Sequence, residues 1–162
     1  MKHLSRSDYA GALAPLARIE ASVVSVESFA HETVAAVGAF AAAQRTTLSV
    51  RDLVTGLRGG IGLPRERWSC EDIASFDRHR RVDSVVRHHG LARLGDTARL
   101  SELLDGRVLR RCVPYADYDG QVGLEYVISV PLWMDGRTLI AIALNRRHLD
   151  FSEREPESLT PR

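Results

Sequence analysis

The chain is poor in the residues that most directly announce a chemistry. Its 162 residues include only two cysteines, Cys70 and Cys112. They sit in no CxxC or Cys/His spacing, so neither a disulfide framework nor a zinc site is expected. Neither sign of charge prevails: 22 Lys and Arg face 21 Asp and Glu, for a formal net charge of +1. A nucleic-acid-binding domain of this size carries a marked basic excess, so the balance argues against DNA binding by this segment alone. Long apolar runs are missing too, and nothing approaches the roughly 20 residues that span a bilayer. The start, MKHLSRSDYAGALAPL, carries charge without a sustained apolar core and does not read as a secretory signal. A cytoplasmic location with free thiols follows as the expectation. There is no phosphate loop, nucleophile elbow or zinc-protease pattern, no internal repeat and no low-complexity tract, and no cofactor or metal is expected.

What is present suits one globular domain with a real core: 44% apolar and 27% charged residues, over a length that fits two domains only with difficulty. Arginine supplies most of the basic charge, and Ala and Leu are common, a composition associated with GC-rich bacterial genomes. Residues 7–21 read as a helix with Tyr9, Leu13, Leu16 and Ile19 at helical spacing, Ser7 as its cap and Pro15 as a disturbance. A second helix is predicted from Glu27 to about Ala43, with Phe29, Val34, Val37, Phe40 and Ala41 as its stripe. Its small residues let it lie close to a sheet, and close packing is what would justify the interior Gly38. Thr46–Val54 reads as a strand whose apolar face Asp52 interrupts. After a turn near Thr55-Gly56, Leu57–Leu63 returns as its hairpin partner. A helix capped by Ser69 is predicted to continue, with a possible break, to His89, and Ser101–Leu104 forms a helical turn.

The C-terminal third is the most legible. Val122–Met134 and Thr138–Asn145 form a hairpin about Asp135-Gly136. Both strands are apolar on nearly every position, which puts them in the middle of a sheet. Ser152 and Glu155 have the spacing of a capping box at the start of a further helix.

The stretch LIAIALNRRHLDFSERE, residues 139–155, resembles the close of the GAF-like sensor domain of bacterial LuxR-type transcriptional regulators. Leu144, Asn145 and Arg146 match its final strand, and Asp150 to Arg154 match the cap that follows. Looser, collinear likeness appears in SFDRHRRVDSVVRHHG, Gly95-Asp96, Arg99–Leu104 and Val122–Tyr126. The resemblance covers roughly residues 7–156. It implies an α/β (α+β), GAF-like fold, a central antiparallel sheet flanked by helices, as a single domain over 1–162. The family's helix after the cap is here reduced to SLTPR and no helix-turn-helix follows. That leaves an excised sensor domain or a stand-alone relative.

In such a fold a ligand cavity lies between the sheet and the segments covering it. Tyr115 and Tyr118 fall in a covering segment and Tyr126 on a strand beneath. With Trp133 and Asp52 they are the candidate ligand-binding residues, since aromatic walls with a few polar handles suit a small organic molecule; Trp68 adds to the aromatic bulk. Core packing accounts for the same aromatics equally well. For Asp52 the alternative is an edge position or a register shifted by one. His88 and His89 project about 100° apart on a helix and do not grip one metal, so a helix-end role is the plainer reading, with His79 too far off to help. Cys112 beside Arg110-Arg111, and Cys70, read as buried thiols before redox sensors. DRHRR at 77–81 reads as a solvated helix face diluted by Glu71, Asp72, Asp77 and Asp83.

These features predict a small-molecule sensor acting through a homodimer or partner contacts. They leave two rivals. One is an enzyme of secondary metabolism using Asp52, Glu125 and His88 for acid–base chemistry. The other is a heterodimerising regulator of a full-length relative.

Overall fold

Two helices and two hairpins form where local signals ask for them. The structure is a computed structural model that describes residues 6–22, 24–64, 97–103 and 126–152. Helix α1 spans Arg6–Ser22 and α2 spans Val26–Phe40. Ser7 lies inside α1 and is not its cap, and Pro15 is accommodated within the helix, where it can give no backbone hydrogen bond of its own. Of the expected α1 stripe, Ile19 is buried but Leu13 and Leu16 are mostly exposed. On α2, Val34 is fully buried, and Ala41 just beyond its end is nearly so, whereas Phe29 and Phe40 keep more than a third of their surface in solvent.

The ends of α2 are built by its own residues. At the N-terminus the Ser28 N–H donates to Ser25 Oγ, and the Ser25 N–H donates to Ser28 Oγ, a reciprocal cap in which serine takes the place usual for Glu or Gln. At the other end the Ala42 N–H bonds to the Ala39 carbonyl and the Ala43 N–H to that of Gly38, the pairing of a Schellman motif. Ala42 turns left-handed there, at φ 45°, and so α2 stops at Phe40 and does not reach Ala43.

The sheet has five strands in the order β2-β1-β5-β4-β3, every neighbouring pair antiparallel. They are β1 (Arg45–Asp52), β2 (Arg58–Leu63), β3 (Ala98–Arg99), β4 (Tyr126–Met134) and β5 (Thr138–Arg146). The short helix α3 (Leu100–Leu103) follows β3. The β4–β5 hairpin predicted from the sequence is present, and β5 is the central strand. Its closing pair is Asp135 and Thr138, so the two loop residues are Gly136 and Arg137, one place later than expected. The Asp135 carboxylate fixes this loop by accepting both the Arg137 and the Thr138 N–H. The first hairpin also forms. It leaves the sheet at Asp52, so Val54 belongs to the turn and not to the strand. The predicted helix over 69–89, the strand residues 122–125 and the capping-box Glu155 lie outside the described residues.

Side chains alternate across a strand, and the register divides the sheet into two unlike faces. One carries Leu48, Ile128, Val130, Ile142 and Leu144, which pack with Ala41, Val37 and Phe151 into the core beneath α2. Gly38 is what brings α2 this close: a Cβ there would stand 3.2 Å from the Cβ of Thr46 on β1 and nearer still to its hydroxyl.

Candidate ligand-binding face

The opposite face of the sheet is built of small residues. Register places Gly62, Thr47, Ala143, Ser129 and Ala98 in one row across all five strands. Gly60, Ser49, Ala141 and Pro131 form a second row beside it. The rows lie about 7 Å apart along the strands, and the longer reaches about 19 Å across them. Ser129, Ala141 and Ala98 are 4%, 6% and 1% exposed, so this face is interior at those positions despite its small side chains, whereas Gly60 at the β2 edge is exposed. Larger side chains stand at its ends: Arg45, Asn145 and Val127 at one, Arg58, Arg51 and Leu139 at the other. Among the described strand residues this face carries no acid. The result is a shallow, polar-edged floor, in contrast to the close-packed aliphatic face behind it.

Three of the residues singled out from the sequence lie within the described chain, and the structure does not bring them together. Asp52 and Tyr126 share a face, as strand parity requires, but it is the α2 face. Asp52 pairs with Thr138 and Tyr126 with Arg146, which puts about 27 Å of strand between them. Tyr126 packs against the core cluster. Trp133 is 53% exposed and donates its indole N–H to Asp135 Oδ2 at 3.3 Å. The expected convergence of Tyr126 with Asp52 around one ligand therefore gives way to a core position and a turn position. Tyr115, Tyr118, Trp68, His88, His89, Glu125 and both cysteines lie outside the described residues.

Asp52 is occupied with holding a turn. Its Oδ1 accepts the Val54 and Thr55 N–H at 2.9 and 2.8 Å, and Arg137 Nε donates to Oδ2 at 2.9 Å. The Thr55 amide above all, then the Arg137 guanidinium, hold its carboxyl at about 2 against an ordinary 3.8. A carboxylate this firmly ionised is a weak proton acceptor near neutral pH. The same ion pair ties the two hairpin turns to one another.

The C-terminal motif that carried the family resemblance has a structural explanation. Leu144, Asn145 and Arg146 are all buried. The Arg146 guanidinium donates to the Ala41 carbonyl and lies over the Phe151 ring, 4.2 Å from its centroid. Arg99 donates to the Phe151 carbonyl. These residues close the core under the end of α2. They were legible as a motif, but the small-residue floor was not singled out. Its signal was alternation: Ala141 and Ala143 on β5 answer Thr47 and Ser49 on β1.

Comparison of the sequence with protein families and with curated proteins finds no match. Comparison of the structure finds clear likenesses. The N-acylhomoserine lactone-dependent LuxR-family transcription factor CepR2 from Burkholderia cenocepacia superposes with a TM-score of 0.64 at 13% identity, over 96% of this chain and 92% of that one. SdiA in complex with octanoyl-rac-glycerol gives 0.60 at 13% identity over 98% of this chain and 65% of that one. The phycocyanobilin-bound GAF domain of a cyanobacterial phytochrome gives 0.55 at 15% identity, over 96% and 88%. The chain therefore has the fold of the ligand-binding domains of LuxR-family regulators, a GAF-like five-stranded antiparallel sheet with helices, over most of its length. No helix among the described residues is long and apolar enough to cross a membrane.

Proposed function

We propose that this chain is a cytoplasmic small-molecule sensor domain and that its ligand lies on the small-residue face of the sheet. The observation that carries the reading is the asymmetry between the two faces. One is filled by branched aliphatics under α2, and the middle of the other is floored by Gly, Ala, Ser and Thr and is interior at Ser129, Ala141 and Ala98. Interior space is ordinarily filled by side chains at high density, and a floor of small residues leaves depth for something else. The neighbours in fold include a factor named for its dependence on N-acylhomoserine lactone and a protein bound to octanoyl-rac-glycerol, which favours a small organic ligand. Tyr115 and Tyr118 remain the proposed aromatic walls.

The test fills the floor. Ala141→Leu is expected to abolish retention of the small molecule that mass spectrometry detects on denaturing the purified protein, with little loss of thermal stability. If nothing is released from the unmutated protein, and the substitution unfolds it as overpacking does, the chain's own side chains fill the space and the sensor reading falls.

Signalling is proposed to run through a homodimer. Leu13 and Leu16 on α1, and Val26, Phe29 and Phe40 on α2, keep large apolar surfaces in solvent, and a second copy covering them would remove that cost. Light scattering that returns a monomer at high micromolar concentration refutes this part. Direct DNA binding is not proposed, since the net charge is +1. Salt-sensitive gel shifts by this chain alone would overturn that.

A further inference from the structure

Resting on the homodimer reading above, we propose that two copies associate through α1, packed antiparallel about a two-fold axis near Leu13, with Glu20 of each copy against the first turn of the other copy's α1. One side of α1 is committed to α2. At Gly11 an added Cβ would lie 3.7 Å from the Phe40 ring, Arg18 pairs with Glu32 at 3.1 Å, and Ile19 is buried. The opposite side carries Leu13, Leu16 and Glu20 at intervals of three and four residues, which make one stripe on a helix. Leu13 and Leu16 are 61% and 59% exposed. Ala10 and Ala17 beside them are exposed as well, and side chains that small let a second helix come close.

The order of charges along the stripe says what covers it. At about 100° per residue, position 6 falls within about 40° of position 20 around the helix, so the line that Glu20 closes is opened by Arg6, the first residue of α1. Turned end for end by a two-fold axis, the stripe matches itself. Leucines meet leucines in the middle, and the acid at each end meets the basic residue of the other copy, the reciprocal contact of an isologous interface. A parallel pairing would set Glu20 against Glu20. Glu20 also lies near the C-terminus of α1, where an acid opposes the helix's own dipole, and no basic residue stands in the last turn. Against the N-terminal turn of an antiparallel copy the same acid becomes favourable. Val24, Val26 and Phe29 are exposed directly after α1. They continue the apolar surface past Glu20, toward the roughly 800 Å² per partner that a stable interface buries.

Sedimentation equilibrium of the intact chain across the micromolar range, at low salt, tests the pairing. Leu16→Glu puts a charge at the centre of the interface and is expected to leave a monomer. Glu20→Arg and Arg6→Glu each set like charges against one another, twice over across the two-fold axis. Each is expected to raise the dissociation constant at least about tenfold. Both exchanges suit the dipole of α1 itself, so thermal unfolding of the monomer is expected to be no easier, and weaker association does not come from a damaged helix. The double variant Arg6→Glu/Glu20→Arg restores opposite signs and is expected to return to within about threefold of the unmutated chain. Single charge variants that dimerise as tightly as the unmutated chain, or a double variant that does not recover, overturn the antiparallel pairing. A Leu16→Glu chain that still dimerises overturns α1 as the interface and leaves the homodimer reading standing. An unmutated chain that stays monomeric overturns both.

Discussion

Replacing Gly38 with alanine sets two effects of opposite sign against each other. In an exposed helix the exchange stabilises by about 1 kcal/mol, because glycine loses more backbone freedom on folding. Here the added Cβ would stand 3.2 Å from the Cβ of Thr46 and closer to its hydroxyl. Thr46 has nowhere to go: it is 2% exposed, β-branched, and flanked by Leu63 on one strand and Leu144 on the other. The helix must lift from β1, loosening Val34 and Ala41 over the core. Overpacking of this kind costs about 1–3 kcal/mol, and lost packing beneath the helix adds to it. Set against the propensity gain, a net loss of about 1–2 kcal/mol is expected, or a Tm lower by about 2–8 °C in a chain of this size. Urea unfolding followed by far-UV circular dichroism measures it directly. In a Thr46→Ala background, where the obstructing hydroxyl is gone and only the 3.2 Å approach of the two Cβ atoms remains, Gly38→Ala is expected to cost clearly less than in the unmutated chain, so a double-mutant cycle isolates the contact. A stabilised single variant, or a coupling below about 0.3 kcal/mol, would refute close helix–strand packing as the reason for this glycine.

Thr33 on α2 is 5% exposed and its hydroxyl has no hydrogen-bond partner among the described residues. Thr33→Val keeps the shape and removes the buried polar atom, so it is expected to stabilise by about 1 kcal/mol; a loss in thermal denaturation would mean that the hydroxyl is used. Ala42→Gly relieves a left-handed alanine at the end of α2 and is expected to raise stability by up to about 1 kcal/mol, with no change in Tm counting against that strain. Acid should weaken the fold through Asp52: the unfolded chain takes up a proton near 3.8, which the folded carboxylate resists down to about 2. The stabilisation this group gives is therefore complete above about pH 5 and is lost as pH falls through that window. Asp52→Asn is expected to narrow the Tm gap between pH 6 and pH 3, and an unchanged gap would show that the turn's hydrogen bonds do not depend on this charge.

Much of the architecture was readable because it rests on local signals. Asp135 sits where a hairpin turns, β4 and β5 are apolar enough to require the middle of a sheet, and the run of small residues in α2 anticipates its close approach to β1. The candidate site was less legible. Asp52 attracted attention as a carboxylate on an apolar face, yet the strand ends there and its acceptors serve the Val54 and Thr55 amides. A turn of this kind begins where pairing stops, and strand patterning does not mark that point to the residue. Tyr126 was assigned the correct parity, but parity does not say which face the helices take.

From the sequence alone came the number and order of the two hairpins, the existence of both helices, and the C-terminal motif whose likeness pointed to a GAF-like fold. All of these depend on residues near one another along the chain, or on a pattern that local conformation turns into a face. Tertiary structure decided what that pattern could not. Docking α2 through Gly38 assigned Leu48, Ile142 and Val130 to the packed core. Pairing β1 between β2 and β5 then aligned Gly60, Ser49 and Ala141, and set Arg51 opposite Arg58. Ala141 comes from a strand far in sequence from the β1–β2 hairpin, and only the hydrogen-bonded register between β1 and β5 makes them one surface.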